Sequence, residues 1–395
     1  MEGDRTSLTT RMEVDLGALE GNFREIRRRV GEGKIIIASI KADAYGHGAV
    51  EVARTLVALD IYALATGSLD DALAVRRSGN QARILIFGNS PPDTVPELLD
   101  HGLVPSVDSM DMARAVSETA DAPSPVFIKV DCGFGRFGVP VETAQTFVKG
   151  VAALPNIQIE GVYTHLPFPD AAGRDWARKR HAVFDRLIAD LAASGREIPI
   201  TQAIDSSGIA GGLTDGSNAI APGSLLYGLA PVAPEVGDMS GFQPVLRAIR
   251  TRLIHVTERA ADRPSHVDAE YLRHGVTATG IVPLGINEGY RGTEPGRTAA
   301  MLLRGRRVPV LRVCLENTVL DLSAIDRPKP GEEVVAMGSG GEEEIDLEEM
   351  AKWWACSPLS AIMSFARRLP HRYAGGGTVP KPATPAPMAS RTHPQ

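Results

Sequence analysis

Five short stretches concentrate the side chains that can do chemistry. Lys41-Ala42-Asp43-Ala44-Tyr45-Gly46-His47-Gly48 follows an apolar run, and Lys129-Val130-Asp131 leads into Cys132-Gly133-Phe134-Gly135-Arg136-Phe137-Gly138. Tyr163-Thr164-His165 closes another apolar run, while Asp205-Ser206-Ser207-Gly208 and Ala221-Pro222-Gly223-Ser224 place hydroxyls beside glycines. Singly, each has an ordinary explanation. A lysine at a strand end is usually just solvated, and the glycines around Arg136 suit a tight turn. His165 is more often a satisfied core histidine than a catalyst. The Ser–Gly pairs suit helix caps, although hydroxyls and free backbone N–H groups at helix starts also bind phosphate.

The elements around these stretches give them a common address. Apolar residues Leu16, Leu19, Phe23, Ile26 and Val30 recur at three- and four-residue steps, one helical stripe. Strands are expected at 34–40, 61–66, 83–88, 103–107, 126–131, 158–165, 199–205 and 224–228, with helices between most of them, such as 140–154 and 176–193. Ile35-Ile36-Ile37 and Val126-Phe127-Ile128 are continuous apolar runs, as a parallel sheet buried on both faces requires. Eight strands alternating with helices predict an α/β fold with an N-terminal (β/α)8 TIM-type barrel, whose functional residues gather at the C-terminal ends of its strands. The five stretches follow or enter such strands, so they converge on one rim.

Read as one site, a rim lysine, a cation able to hold a phenolate, an imidazole to lie against a ring and a phosphate nest describe a place for pyridoxal 5′-phosphate. Lys41 would form the Schiff base, for which its amine must be neutral. Burial and neighbouring cations would have to lower it from about 10.4 towards about 7–8. The cofactor would then serve as electron sink for a carbanion at an amino acid's α-carbon.

Past about residue 240 the pattern changes. Runs at 246–256, 276–282, 307–313 and 319–322 read as strands joined by Gly, Pro and charged turns, followed by a helix at 347–354. The expected organisation is an extension at 1–11, the barrel at 12–235, a smaller, mainly β C-terminal domain at 236–373, and a disordered Gly/Pro/Ala/Thr-rich tail at 374–395. The 395 residues are 43 % hydrophobic and 23 % charged, ordinary globular usage. A net charge of -6 argues against a polyanion partner such as nucleic acid. Cys132, Cys314 and Cys356 form neither a disulfide framework nor a metal knuckle. With no secretory core in the opening residues and no apolar run near the ~20 residues that span a bilayer, the expectation is a soluble, cytoplasmic protein with no membrane partner.

The stretch from Lys41 to Gly48 resembles the cofactor-lysine signature of the alanine racemases, fold-type III pyridoxal phosphate enzymes. The resemblance continues through Lys129-Val130-Asp131…Gly135-Arg136, Gly161-Val162-Tyr163-Thr164-His165 and Pro222-Gly223-Ser224-Leu225-Leu226-Tyr227-Gly228. It reaches Ile281-Val282-Pro283-Leu284-Gly285 and Arg368-Leu369-Pro370-His371-Arg372-Tyr373 in the C-terminal part. It implies Lys41 as the Schiff-base lysine and the base on one face of an amino-acid substrate. It implies Tyr45, Ser206, Gly223 and Ser224 around the phosphate, and His165 against the pyridine ring. Arg136 would contact the phenolic oxygen, positioned by Lys129, a lysine often carbamylated in the family. A homodimer with shared active sites is implied as well.

The departures from the family bear on the reaction. Ala221 stands where the family has an arginine against the pyridine nitrogen. The family's second base, a tyrosine followed by glycine, has no counterpart in Pro264-Ser265-His266-Val267-Asp268, where His266 or Tyr271 is the candidate substitute. Gly-Tyr-Ala-Asp-Gly appears as Gly285-Ile286-Asn287-Glu288-Gly289, Met-Asp as Leu315-Glu316, and the late phosphate tyrosine falls near Leu359. Racemisation by two bases needs a proton acceptor on each face of the carbanion. The expectations are therefore an amino-acid racemase of the alanine racemase type, or a relative with one-base chemistry: decarboxylation, retro-aldol cleavage, β-elimination or replacement. A non-catalytic carrier of the cofactor is disfavoured by the C-terminal domain.

Overall fold

A computed structural model of the chain describes residues 10–88, 90–258, 275–294 and 296–376. Its first strand, β1 (Arg11–Asp15), lies in a second sheet. The barrel is formed by β2 (Ile35–Ser39), β3 (Ala63–Thr66), β4 (Ile84–Ile86), β5 (Val104–Val107), β6 (Ser124–Asp131), β8 (Ile157–Tyr163), β9 (Ile200–Asp205) and β10 (Ala219–Ala221), with the two-residue β7 (Val139–Pro140) alongside β6. All eight pair in parallel, and the β5–β6 and β10–β2 ladders close the ring. The triple isoleucine shows why the runs are continuous. Ile37 packs inside the barrel with Ala63, Ala65, Phe127 and Tyr163, whereas Ile36 packs outward against the surrounding helices.

The eighth strand is not at 224–228. Ser224–Tyr227 is a 3-10 turn, and the strand is β10, just before it. Pro222 has no N–H to offer a ladder, so the pairing stops there. Leu225, Leu226 and Tyr227 are buried in the main core, which gives the turn the apolar look of a strand. Two other bounds move: β8 ends at Tyr163, leaving His165 beyond it, and the long helix begins at Ala171, capped by Asp170 accepting from Gly173 N at 2.8 Å.

The second sheet contains β11 (Leu246–Arg252), β12 (His255–Glu258), β13 (Ala278–Val282), β14 (Ala300–Leu303), β15 (Arg306–Val313), β16 (Thr318–Asp321), β17 (Glu333–Ser339), β18 (Glu344–Ile345) and β19 (His371–Ala374). The run at 246–256 is thus two strands. Helices Leu347–Trp353 and Pro358–Phe365 pack on a core containing Met301, Tyr290, Trp354 and Phe365. The two ends of the described chain meet here. β1 pairs antiparallel with β11 and parallel with β19, so residues from 11 to 15 sit in this sheet rather than in the barrel wall, and Ala374 ends a strand. Residues 377–395 of the expected tail lie outside the described residues. Among the described residues, no helix is long and apolar enough to cross a membrane.

Candidate active site

A cavity of about 700 Å³ opens at the C-terminal ends of the barrel strands. Lys41 and Tyr45 reach it from beyond β2, Lys129 from within β6, Arg136 from the loop after β6, and His165 from beyond β8. Ser206, Gly223 and Ser224 enter from the segments following β9 and β10. Eight of the nine residues expected at the site therefore line one space. The ninth, His266, and its alternate Tyr271 lie outside the described residues.

The segment after β2 has an unusual backbone. Ala42, Asp43, Ala44 and Tyr45 all hold φ between 54° and 56°, a complete left-handed turn. Each such residue with a Cβ costs roughly 1–2 kcal/mol, so the surroundings must enforce it. Within the turn, Gly48 N donates to Asp43 O at 3.0 Å and Ala49 N to Asp43 Oδ1 at 2.7 Å. Asp43 N donates to Asp71 Oδ2 at 3.0 Å, and Asp71 in turn is held by Arg367 of the C-terminal domain. That domain adds two further holds: His371 Nε2 lies 2.9 Å from Gly46 O, and Tyr373 Oη donates to His47 O at 3.2 Å. Gly48 must be glycine, since its φ is +89° and a Cβ there would sit 1.9 Å from Tyr373 Oη.

The turn delivers Tyr45 to the glycine of the β10 exit. A Cβ on Gly223 would come within 2.1 Å of Tyr45 Oη. Tyr45 stacks on Tyr227 at 4.7 Å between centroids, His47 stacks on the same ring at 4.9 Å, and Tyr227 Oη donates to Ser39 O at 2.9 Å. Ser206 Oγ accepts from Gly223 N at 2.8 Å and Leu225 N at 3.3 Å, which leaves its own hydrogen to donate. Ser39, also in the cavity lining, has a buried Oγ without a partner. Hydroxyls with hydrogens to give, crowded where backbone meets backbone, fit a phosphate group.

Charge is divided unevenly around the cavity. Lys129 is 7 % exposed, with Nζ 4.3 Å from the Tyr163 ring centroid. Burial, reinforced by the nearby Arg136 guanidinium, pushes its amine down to about 7. The sequence reading put burial on Lys41. In the single chain Lys41 is exposed at the rim, because β2 has ended before it, with Nζ 5.5 Å from the Tyr45 ring centroid. Arg136 is also exposed and lies 5.0 Å from the Phe134 ring centroid and 5.8 Å from that of Phe137. Burial pushes the His165 imidazole well below its ordinary value, against the pull of Asp205, whose Oδ2 is 3.3 Å from Nδ1. Among the described residues, basic side chains outnumber the one acid in the lining, which favours an anionic occupant.

Sequence reasoning gave no role to Asp205 or Phe137, and set Leu359 near the family's late phosphate tyrosine; all three line the same space. Asp205 was detectable as the last residue of an expected strand. Leu359 comes from the helix Pro358–Phe365 of the other domain.

A closed parallel barrel with a lysine-bearing left-handed turn at its mouth, latched by a β domain made from both chain ends, defines a two-domain barrel class with one polar, phosphate-sized nest. Family profiles described as the alanine racemase N-terminal domain and the alanine racemase C-terminal domain match residues 14–231 and 247–373. The chain belongs to the alanine racemase family. It is 31 % identical over 366 residues to an alanine racemase of Desulfovibrio desulfuricans, covering 91 % of this chain and 97 % of that one. An alanine racemase of Methanococcus maripaludis is 28 % identical, with the same coverage. Among solved structures, alanine racemase from E. faecalis superimposes with a TM-score of 0.82 at 27 % identity, covering 93 % of this chain and 98 % of that one.

Proposed function

We propose that the protein is a pyridoxal 5′-phosphate-dependent enzyme acting at the α-carbon of an amino acid, a racemase of the alanine racemase type. One observation carries the reading: Lys41 and the Tyr45–Ser206–Gly223–Ser224 nest share a single cavity at the C-terminal rim of the barrel, in a chain of this family. In this reading Lys41 would hold the cofactor through Nζ, the nest its phosphate, Arg136 its phenolic oxygen and His165 one face of its ring. Buried Lys129 lies in the same cavity lining as Arg136, which it would help to position. When bound, the cofactor supplies an electron sink that makes the substrate's α-proton removable. Lys41 Nζ would take the α-proton from, or deliver one to, its own face, for which it must be neutral. Inversion requires a second group on the opposite face, the role for which His266 or Tyr271 is the candidate.

The working form is a homodimer with shared sites. Large apolar side chains support this: Ile286 and Leu315 are 56 % and 68 % exposed on neighbouring loops, joined by Asn287 N donating to Leu315 O. Ile286 and Leu359 also line a second cavity of about 780 Å³ that a second copy can fill. Three unpaired cysteines fit a reducing, cytoplasmic setting.

Purified protein loaded with the cofactor and incubated with L-alanine or D-alanine in deuterated water tests the reading. Exchange with inversion is expected. Exchange with retention would favour one-base chemistry, to which Ala221 lends support as a neutral residue in the cavity wall. No exchange together with no inversion of either enantiomer would rule out an alanine racemase.

A further inference from the structure

Among the described residues, the cavity lining holds the basic side chains Lys41, Lys129 and Arg136 and one acidic side chain, Asp205. We infer that Asp205 is the partner of the cofactor's pyridine nitrogen and keeps that nitrogen protonated, an assignment that rests on reading the cavity as a pyridoxal phosphate site. The cofactor has three ionisable parts. Its phosphate and phenolic oxygen are anionic, matched by the hydroxyl nest and by the cations. Apart from the imine it would form with Lys41, only the ring nitrogen can carry positive charge, and a buried carboxylate stabilises such a charge.

The register places Asp205 for this task. β9 and β10 pair so that Asp205 faces Ala221 across the ladder. A methyl group at 221 leaves the acid's flank open toward the cavity. Asp205 is 7 % exposed, and its orientation is set by Oδ1, which accepts from Ser207 N at 2.9 Å, Gly208 N at 3.1 Å and Ser207 Oγ at 2.5 Å. Oδ2 makes no bond within the turn and lies 3.3 Å from Nδ1 of His165, another residue of the cavity lining. His181 and Lys129 are the other titratable groups that feel this acid. A cation at 221 would compete for the same oxygen; alanine does not. A protonated ring withdraws electrons more strongly than a neutral one, so bonds other than Cα–H at the substrate also become labile. Asp205 thereby widens the reactions open to this site.

The test is the nitrogen resonance of the holoenzyme reconstituted with cofactor labelled with nitrogen-15 in the ring. At neutral pH the wild-type resonance is expected at the protonated pyridine position. Asp205→Asn, which keeps an oxygen to accept from Ser207 N and Gly208 N, should move it to the unprotonated position and weaken cofactor binding about tenfold. His165→Phe should leave the nitrogen protonated. If that variant alone abolishes protonation, Asp205 acts only by orienting the imidazole and the inference falls. Should Asp205→Asn not fold, Ala221→Arg decides: the inference expects movement toward the unprotonated position with visible absorbance retained, and no movement overturns it. An unprotonated wild-type ring overturns the inference and leaves the site reading standing, whereas a colourless protein that takes up no cofactor overturns both.

Discussion

On the barrel side of the cavity, Tyr45, Ser206 and Gly223 are buried, and each touches another member of the set or its backbone. On the side facing the C-terminal domain, Leu359 is 38 % exposed, and Ile286 on the adjoining cavity is more so. The first wall is complete within one chain, since its geometry follows from strand register and close backbone approach. The second is unfinished in one chain and free to vary. The departures read from the sequence fall mostly on the second wall: Gly223 and Ser224 resemble the family pattern and Ile286, Leu315 and Leu359 do not, with Ala221 of β10 the exception on the barrel side. The barrel side of the pocket is constrained by packing, and the other side by whatever covers it.

Substitutions on the two walls should differ in size and kind. Lys41→Ala should lower α-proton exchange by roughly 10³-fold or more, read by deuterium incorporation, because the variant lacks the proposed base; substantial residual exchange would assign the base to another residue. Lys129→Met should change the pH dependence of stability by a few kcal/mol, on the order expected for a shift of this size. The folded amine titrates at about 7 instead of 10.5. Between those values the unfolded chain holds a proton that the folded chain has lost, so apoprotein stability rises with pH across this window and the burial penalty is full below it. Urea midpoints from pH 6 to 10 should therefore climb in the wild type and lie flatter in the variant. Gly223→Ala drives a Cβ to within 2.1 Å of Tyr45 Oη; it should cost about 1–3 kcal/mol of stability and weaken cofactor binding in step. Leu359→Tyr, on the unfinished wall, should leave thermal stability unchanged and strengthen cofactor binding by up to about tenfold, the worth of one hydrogen bond. A larger effect there than at Gly223 would reverse the ranking of the two walls.

Much of the barrel was legible because its signals are local and repeated. Ile35-Ile36-Ile37 has to be buried on both faces wherever it goes, and Lys41 follows it immediately. β10 was not legible: Ala219-Ile220-Ala221 is short, and the apolar Leu225-Leu226-Tyr227 just after it imitates a strand. The left-handed turn gave no sign either, since Ala-Asp-Ala-Tyr has no preference for positive φ; contacts from Arg367, His371 and Tyr373, more than 300 residues away in sequence, impose it. The role of Asp205 depends on its ladder partner Ala221, and register is invisible until the sheet is assembled. Strand β19 was missed because its partner β1 lies at the opposite end of the chain; helix Pro358–Phe365, which packs on the neighbouring helix Leu347–Trp353 as well as on the turn at Lys41–Gly46, was missed too.

The latch on the left-handed turn has a consequence in time. A ribosome delivers the barrel's last strand well before His371 and Tyr373, so a nascent chain holds a finished barrel whose lysine loop still lacks its clasp. The lysine turn gains its holds from His371 and Tyr373 only once that strand has docked beside the first. If the cavity takes the proposed cofactor, a chain truncated before residue 367 is expected to keep its barrel strands and yet take up less of it than one that retains β19.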